Sequence, residues 1–216
     1  MNNLQIRAGH TLLFIGDSIT DCGRTRPVGR AGGLGDGYVS LVDSLLAATY
    51  PDRSIQVLNT GISGNRVTNL ESRWQSDVLD LKPDWLSVMI GINDVWRQFD
   101  HAADPIQVTP AYFEAALRQL VESVQADLSG LVLMTPFFLE SDRADPMRAM
   151  MDEYAALVRA VAAERGAHFV DTQAAYDRYL VHRPSSTLCE DRVHPRQAGH
   201  MILARAFLES VGFSWS

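Results

Sequence analysis

Leu12-Leu13-Phe14-Ile15-Gly16-Asp17-Ser18-Ile19-Thr20-Asp21 is the stretch that decides the fold. Its first four residues are apolar without polar alternation, and they run straight into a Gly-Asp-Ser turn. A strand with one wet face alternates. A short unbroken apolar run suits a strand buried on both faces, as in a parallel sheet between helix layers. Runs of this kind recur at residues 55–58, 85–90, 131–134 and 168–170. Helical patterns separate them. Thr109-Pro110 pairs an N-cap with proline at the first helical position, and Phe113, Leu117, Leu120, Val124 and Leu128 follow at three- and four-residue steps. Asp145-Pro146 repeats the start signal, and Gly166 supplies the stop. Between them Met147, Met150 and Met151 are most simply core filling. Residues 38–50 and 195–211 read as helices too. Strands alternating with helices predict an α/β chain: a doubly wound parallel sheet with helices on both faces.

The 216 residues fit one domain spanning 1–216. With 46% hydrophobic and 21% charged residues the chain is neither disordered nor fibrous. A net charge of −7 speaks against a nucleic-acid partner, which would need a basic footprint. Eighteen of the nineteen basic residues are arginine. Lys82, the one lysine, follows no Gly-rich stretch, so Walker-A phosphate binding and Schiff-base chemistry are excluded. Residues 22–37 hold six glycines but not the spacing of a dinucleotide fingerprint. Cys22 and Cys189 are too few for a disulfide scaffold and are expected as free thiols. The histidines show no metal-ligand spacing, so neither a metal nor another cofactor is expected. No apolar run has the length of a signal-peptide core or a membrane helix, which predicts a cytoplasmic protein with no membrane partner.

In an open parallel sheet, ligands bind beyond the carboxyl ends of the strands. The first run is followed by Gly16-Asp17-Ser18, the second by Asn59-Thr60-Gly61-Ile62-Ser63-Gly64-Asn65, and the third by Gly91-Ile92-Asn93-Asp94-Val95-Trp96. Asp191-Arg192-Val193-His194-Pro195 stands before the last helix. These are the residue types that acyl transfer requires. Ser18 would be the nucleophile, needing a base to take its proton. His194 is the histidine with a carboxylate three residues earlier, and Asp191 can curl back to hold one ring nitrogen ahead of a proline-started helix. The developing oxyanion needs preorganised donors, for which the N–H groups of Ser18 and Gly64 and the Asn93 amide are the candidates. Asp17 and Asp94 are expected to hold loops rather than to transfer protons. Taken singly, Asn93-Asp94 is an ordinary strand-end turn, and Ser63 is a rival nucleophile with no base of its own. His10, His101, His168, His182 and His200 lack a partner pattern and are expected to be structural or on the surface.

In this order, Gly16-Asp17-Ser18, Gly61-Ile62-Ser63-Gly64-Asn65, Gly91-Ile92-Asn93-Asp94 and Asp191-Arg192-Val193-His194 resemble the blocks of the SGNH (GDSL-type) hydrolases. The resemblance implies a flavodoxin-like three-layer α/β/α sandwich on a five-stranded parallel sheet, and cofactor-free ester hydrolysis. It implies a triad of Ser18, Asp191 and His194, with Ser18, Gly64 and Asn93 as oxyanion hole. The G-x-S-x-G elbow of other α/β-hydrolases is absent, since Thr20 stands at its second glycine. Longer stretches around residues 14–24, 89–97 and 191–200 are similar to bacterial acetylxylan and carbohydrate acetyl esterases. Cys189-Glu190 departs from them, at a place where they carry an aromatic residue. The expected substrate is a short-chain ester, an acetylated saccharide foremost. Polar loops with Arg24, Arg26 and Arg30, with Arg97, Gln98 and Asp100, and with Arg178, His182 and Arg183 suit hydroxyl-rich leaving groups. Trp96 would offer a flat face to a sugar, cap the acyl site, or belong to the core. The alternatives are a broad carboxylesterase, thioesterase or lysophospholipase of the same fold and, from another class, a non-catalytic carbohydrate-binding protein. Phe213 and Trp215 end the chain beyond the last helix, where they would support a homo-oligomer or fold back on the core.

Overall fold

The computed structural model describes residues 3–100 and 107–215. His101 lies outside the described residues. Five strands, β1 (Thr11–Gly16), β2 (Gln56–Asn59), β3 (Trp85–Met89), β4 (Gly130–Met134) and β5 (His168–Val170), form one all-parallel sheet in the order β2-β1-β3-β4-β5. Each predicted run became a strand, shifted by at most a residue or two at its ends.

The helices are α1 (Ser18–Asp21), α2 (Tyr38–Thr49), α3 (Val67–Asp77), α4 (Ile92–Asp100), α5 (Pro110–Gln125), α6 (Pro146–Arg165), α7 (Thr172–Leu180) and α8 (Gln197–Ser210). Strand order distributes them. The chain steps one way from β1 to β2 and the other way from β2 onward to β5. Right-handed crossovers therefore place α2 on one face and α3, α5 and α6 on the other. Phe14 of β1 meets Tyr38 of α2 at 5.5 Å and Phe207 of α8 at 4.8 Å between ring centroids, so α8 joins the α2 layer. Such aromatic pairs contribute about 0.5–1.5 kcal/mol each beyond the area they bury. The direction of winding reverses between β1 and β3, and a crevice opens there at the strand ends.

Local chemistry explains the predicted helix ends. The Thr109 hydroxyl accepts the Tyr112 N–H, the Asp145 carboxylate accepts those of Met147 and Arg148, and Gly166 ends α6 at φ 62°. The last helix starts later than its proline suggested. Arg196 is its N-cap, and Pro195 lies outside. Four helices, α1, α3, α4 and α7, carried weaker signals. Asn93-Asp94 is not a turn but the first turn of α4. Of the two final aromatics, Phe213 folds back against Tyr50 at 5.4 Å, whereas Trp215 stays half exposed beside Arg205. Met147 and Met151 are buried and Met150 partly so. Among the described residues no helix is long and apolar enough to cross a membrane.

Candidate active site

Ser18, Asp191 and His194 form one hydrogen-bonded chain at the crevice. Ser18 Oγ lies 2.8 Å from His194 Nε2, and His194 Nδ1 lies 2.6 Å from Asp191 Oδ2. The other Asp191 oxygen accepts the N–H groups of Val193 (2.9 Å) and His194 (2.8 Å). Burial opposes ionisation of Asp191, but the His194 ring and these two N–H groups outweigh it and hold its carboxyl below the usual range. His194 stands three residues before α8, so the Asp191 turn, not a proline-started helix, sets its position.

That turn needs an unusual residue. Arg192 adopts φ 62°, the left-handed region that side chains other than glycine avoid. It is held by an ion pair to Glu140 at 2.8 Å, by its stacking over Phe138 at 4.7 Å, and by its carbonyl, which accepts the Leu139 N–H. Glu190 is exposed and pairs with Arg196 at 2.6 Å.

Ser18 opens α1, and Asp17 caps it by accepting the Ile19 N–H at 3.0 Å. The Ser18 N–H is thus among those a helix start leaves without an intrahelical partner. Gly64 has φ 81°, and a Cβ there would meet no atom within 4 Å. Its need for glycine comes from conformation, not from crowding. One Asn93 Nδ2 hydrogen goes to the Asn65 carbonyl at 3.0 Å, fixing an amide nitrogen that carries two. Trp96 packs on the core with its ring 6.0 Å from that of His194 and the Arg97 guanidinium 5.0 Å from its centroid.

Among the described residues no histidine is hydrogen-bonded to Ser63. Its hydroxyl and N–H both go to Asp21 Oδ2, at 3.2 and 2.9 Å, and Arg26 pairs with the same carboxylate at 2.6 Å. Asp21 was missed in the sequence, as was Arg73. The Arg73 guanidinium reaches the carbonyls of Gly16 (3.1 Å) and Thr60 (2.6 Å), while its Nε reaches Asn65 (2.8 Å), so it ties two strand ends together. Its sequence signal was an i,i+4 pair with Asp77, which looks like any surface pair.

The three polar loops divide. Arg24 is buried and spends its guanidinium on the carbonyls of Gly61, Thr25 and Pro27. Gln98 bonds to Asp94, Val108 and Tyr154. Arg178 and His182 line a cavity with Tyr179, Ile202, Arg205 and Glu209, which includes none of the site residues above. Among the five other histidines, His200 is buried, with Nδ1 accepting the Tyr38 N–H and Nε2 3.5 Å from Cys22 Sγ. Both cysteines are free.

Asp17 and Asp94 sit under these loops, fully buried. One Asp94 oxygen accepts the Val67 N–H at 2.9 Å, and the other has no hydrogen-bond partner. Burial pushes both carboxyls up from 3.8 to about 7, and in Asp17 the neighbouring Asp94 adds to it. The unfolded chain ionises them first, so their contribution to stability is full below about pH 4 and is lost as pH rises to about 7. Asp94→Asn keeps the Val67 bond and cannot ionise. Relative to wild type it should gain roughly 2–4 kcal/mol between pH 4.5 and pH 8. Thermal unfolding of both proteins at the two pH values checks this, and parallel shifts would show that Asp94 ionises normally.

The GDSL-like lipase/acylhydrolase family matches this chain over residues 14–202, from β1 into α8. An acetylxylan esterase of Geobacillus stearothermophilus is 52% identical over 98% of both chains. The crystal structure of that enzyme, Axe2, superposes with a TM-score of 0.96, again covering 98% of both chains. Axe2 has also been solved as catalytic mutants in which a serine, an aspartate or a histidine is replaced by alanine. LAE5, an alpha/beta hydrolase enzyme from the metagenome of Lake Arreo, Spain, is 46% identical with a TM-score of 0.94, over 97% of this chain and 98% of its own. Sheet order, the loops at the strand ends and a match spanning most of the sequence agree: the chain belongs to the GDSL-like lipase/acylhydrolase family.

Proposed function

We propose that this protein is a serine esterase that removes acetyl groups from acetylated sugars such as xylo-oligosaccharides, working in the cytoplasm as one catalytic domain. The continuous chain Ser18–His194–Asp191, with contacts of 2.8 and 2.6 Å, is the observation that carries it. Ser18 Oγ attacks the ester carbonyl as His194 Nε2 takes its proton, and Asp191 stabilises the imidazolium that forms. The N–H groups of Ser18 and Gly64 and the Asn93 amide receive the tetrahedral oxyanion. On collapse, His194 returns the proton to the departing alcohol and leaves an acetyl-Ser18 ester. Water, deprotonated by His194, then attacks that ester; acetate departs and Ser18 regains its proton. Every proton is carried by the named residues, so the cycle needs no cofactor.

Acetyl as the acyl group and a sugar as the alcohol are favoured by the likeness to an acetylxylan esterase. A chain-length series of p-nitrophenyl esters beside acetylated xylo-oligosaccharides tests both. Acetate should give the highest kcat/KM, falling steeply by butyrate or hexanoate, and acetylated sugar should release acetate. An optimum at octanoate would point to the lysophospholipase-like alternative. Binding of sugar without turnover would point to the non-catalytic one.

A further inference from the structure

The proton that His194 Nε2 returns goes to the oxygen of the departing alcohol. That alcohol must therefore lie on the imidazole side of the ester, away from Gly64 and Asn93. Beside the imidazole lies a groove of about 300 Å³, lined by Trp96, Phe99, Asp100, Pro146, Met147 and Arg192 together with Asp145. It flanks the turn that carries His194. The Trp96 ring lies 6.0 Å from the His194 ring, and Arg192 belongs to the turn that presents His194. Its volume is at the low end of the range for small-molecule sites, about 300–1,000 Å³, which suits a ligand of one or two rings.

The lining has the chemistry of a sugar site. Trp96 and Phe99 stand three residues apart on α4, hence on one side of the helix. Phe99 is 42% exposed and lines the groove, so its ring is open to a ligand there. Across the groove, Pro146 and Met147 of α6 complete an apolar wall for the C–H face of a pyranose. Asp145 and Arg192, 3.6 Å apart at the rim, offer an acceptor and a donor to ring hydroxyls.

We infer that this groove between α4 and the start of α6 is the leaving-group subsite, holding the sugar ring that bears the ester, with Phe99 as its specificity-determining wall. The assignment rests on the esterase function proposed above. It also explains how discrimination among alcohols arises beside a catalytic chain that treats all acetyl esters alike.

The experiment compares kcat/KM for acetylated xylobiose with kcat/KM for ethyl acetate, whose two-carbon alcohol is too short to fill the groove. In Phe99→Ala the ratio should fall about tenfold, the low end of what losing an apolar pocket contact does to discrimination, with the change in KM for the sugar ester. Phe99→Tyr keeps the flat face and should keep the ratio. Unfolding temperatures of both variants report whether the fold is intact. A wild-type enzyme that deacetylates xylobiose, with a ratio within twofold of its own in Phe99→Ala, overturns the subsite and leaves the esterase intact. A wild-type enzyme active on ethyl acetate but releasing nothing from acetylated xylobiose overturns the sugar substrate and the subsite together.

Discussion

Ser18→Ala should lower kcat on p-nitrophenyl acetate by about 10⁴–10⁶, the range seen when a triad serine is removed. Without Oγ no acetyl-enzyme can form, and what is left is water attacking an ester held by the Gly64, Asn93 and residue-18 donors. The substitution spares the fold. Asp17 caps α1 through the Ile19 N–H, which alanine leaves untouched, and the residue-18 N–H stays in place. Unchanged thermal unfolding should accompany the loss of turnover, and an organophosphate that labels the wild type should no longer react. Retention of more than a few per cent of wild-type kcat would move the nucleophile elsewhere. Ser63 would be the next candidate, although its hydroxyl is given to Asp21.

How far this site could be read from the sequence depended on the range of each interaction. The Asp191–His194 pair was legible because three residues separate its partners and the turn closes locally. Ser18 and His194 are 176 residues apart, and only the parallel topology brings them to one edge of the sheet. Strand runs set that topology, and the caps at Thr109 and Asp145 set two of its helices. The other helices have no such cap-plus-proline start. β3 runs through Gly91, at φ 130°, straight into α4 without a capping side chain, and α3 buries only Val67, Leu70 and Trp74. Arg24, Arg73 and Asp21 were illegible for another reason. Arg24 and Arg73 reach backbone carbonyls, and Asp21 accepts the Ser63 N–H, all on distant loops, and no residue pattern encodes a carbonyl or an N–H. Arg24 in particular reads in sequence as part of a polar loop suited to a hydroxyl-rich leaving group and is instead the internal brace of residues 24–27. The raised carboxyls of Asp17 and Asp94 follow from burial, which the sequence could only suggest.

Asp191→Asn should cost about 10⁴ in kcat while the protein folds as before. The carbonyl oxygen of the substituted amide can still accept the Val193 and His194 N–H groups that Asp191 Oδ1 accepts now, so the turn persists. The change falls on the other atom. In the wild type, Oδ2 accepts a hydrogen from Nδ1, which leaves Nε2 bare to accept the Ser18 proton. An amide NH₂ in that place donates instead. Nδ1 then becomes the acceptor, the proton sits on Nε2, and His194 faces Ser18 with a hydrogen where it needs a lone pair. The tautomer is wrong, and raising the pH does not correct it. Because Asp191 titrates below the usual carboxylate range, the wild type carries this charge at every working pH. The deficit of Asp191→Asn should therefore persist from pH 6 to pH 9. If Asp191 acted only by making His194 more basic, the variant would instead regain wild-type kcat at a shifted pH. Profiles of kcat against pH for both proteins separate the two cases, and activity within tenfold of wild type anywhere in that range would remove Asp191 from the mechanism.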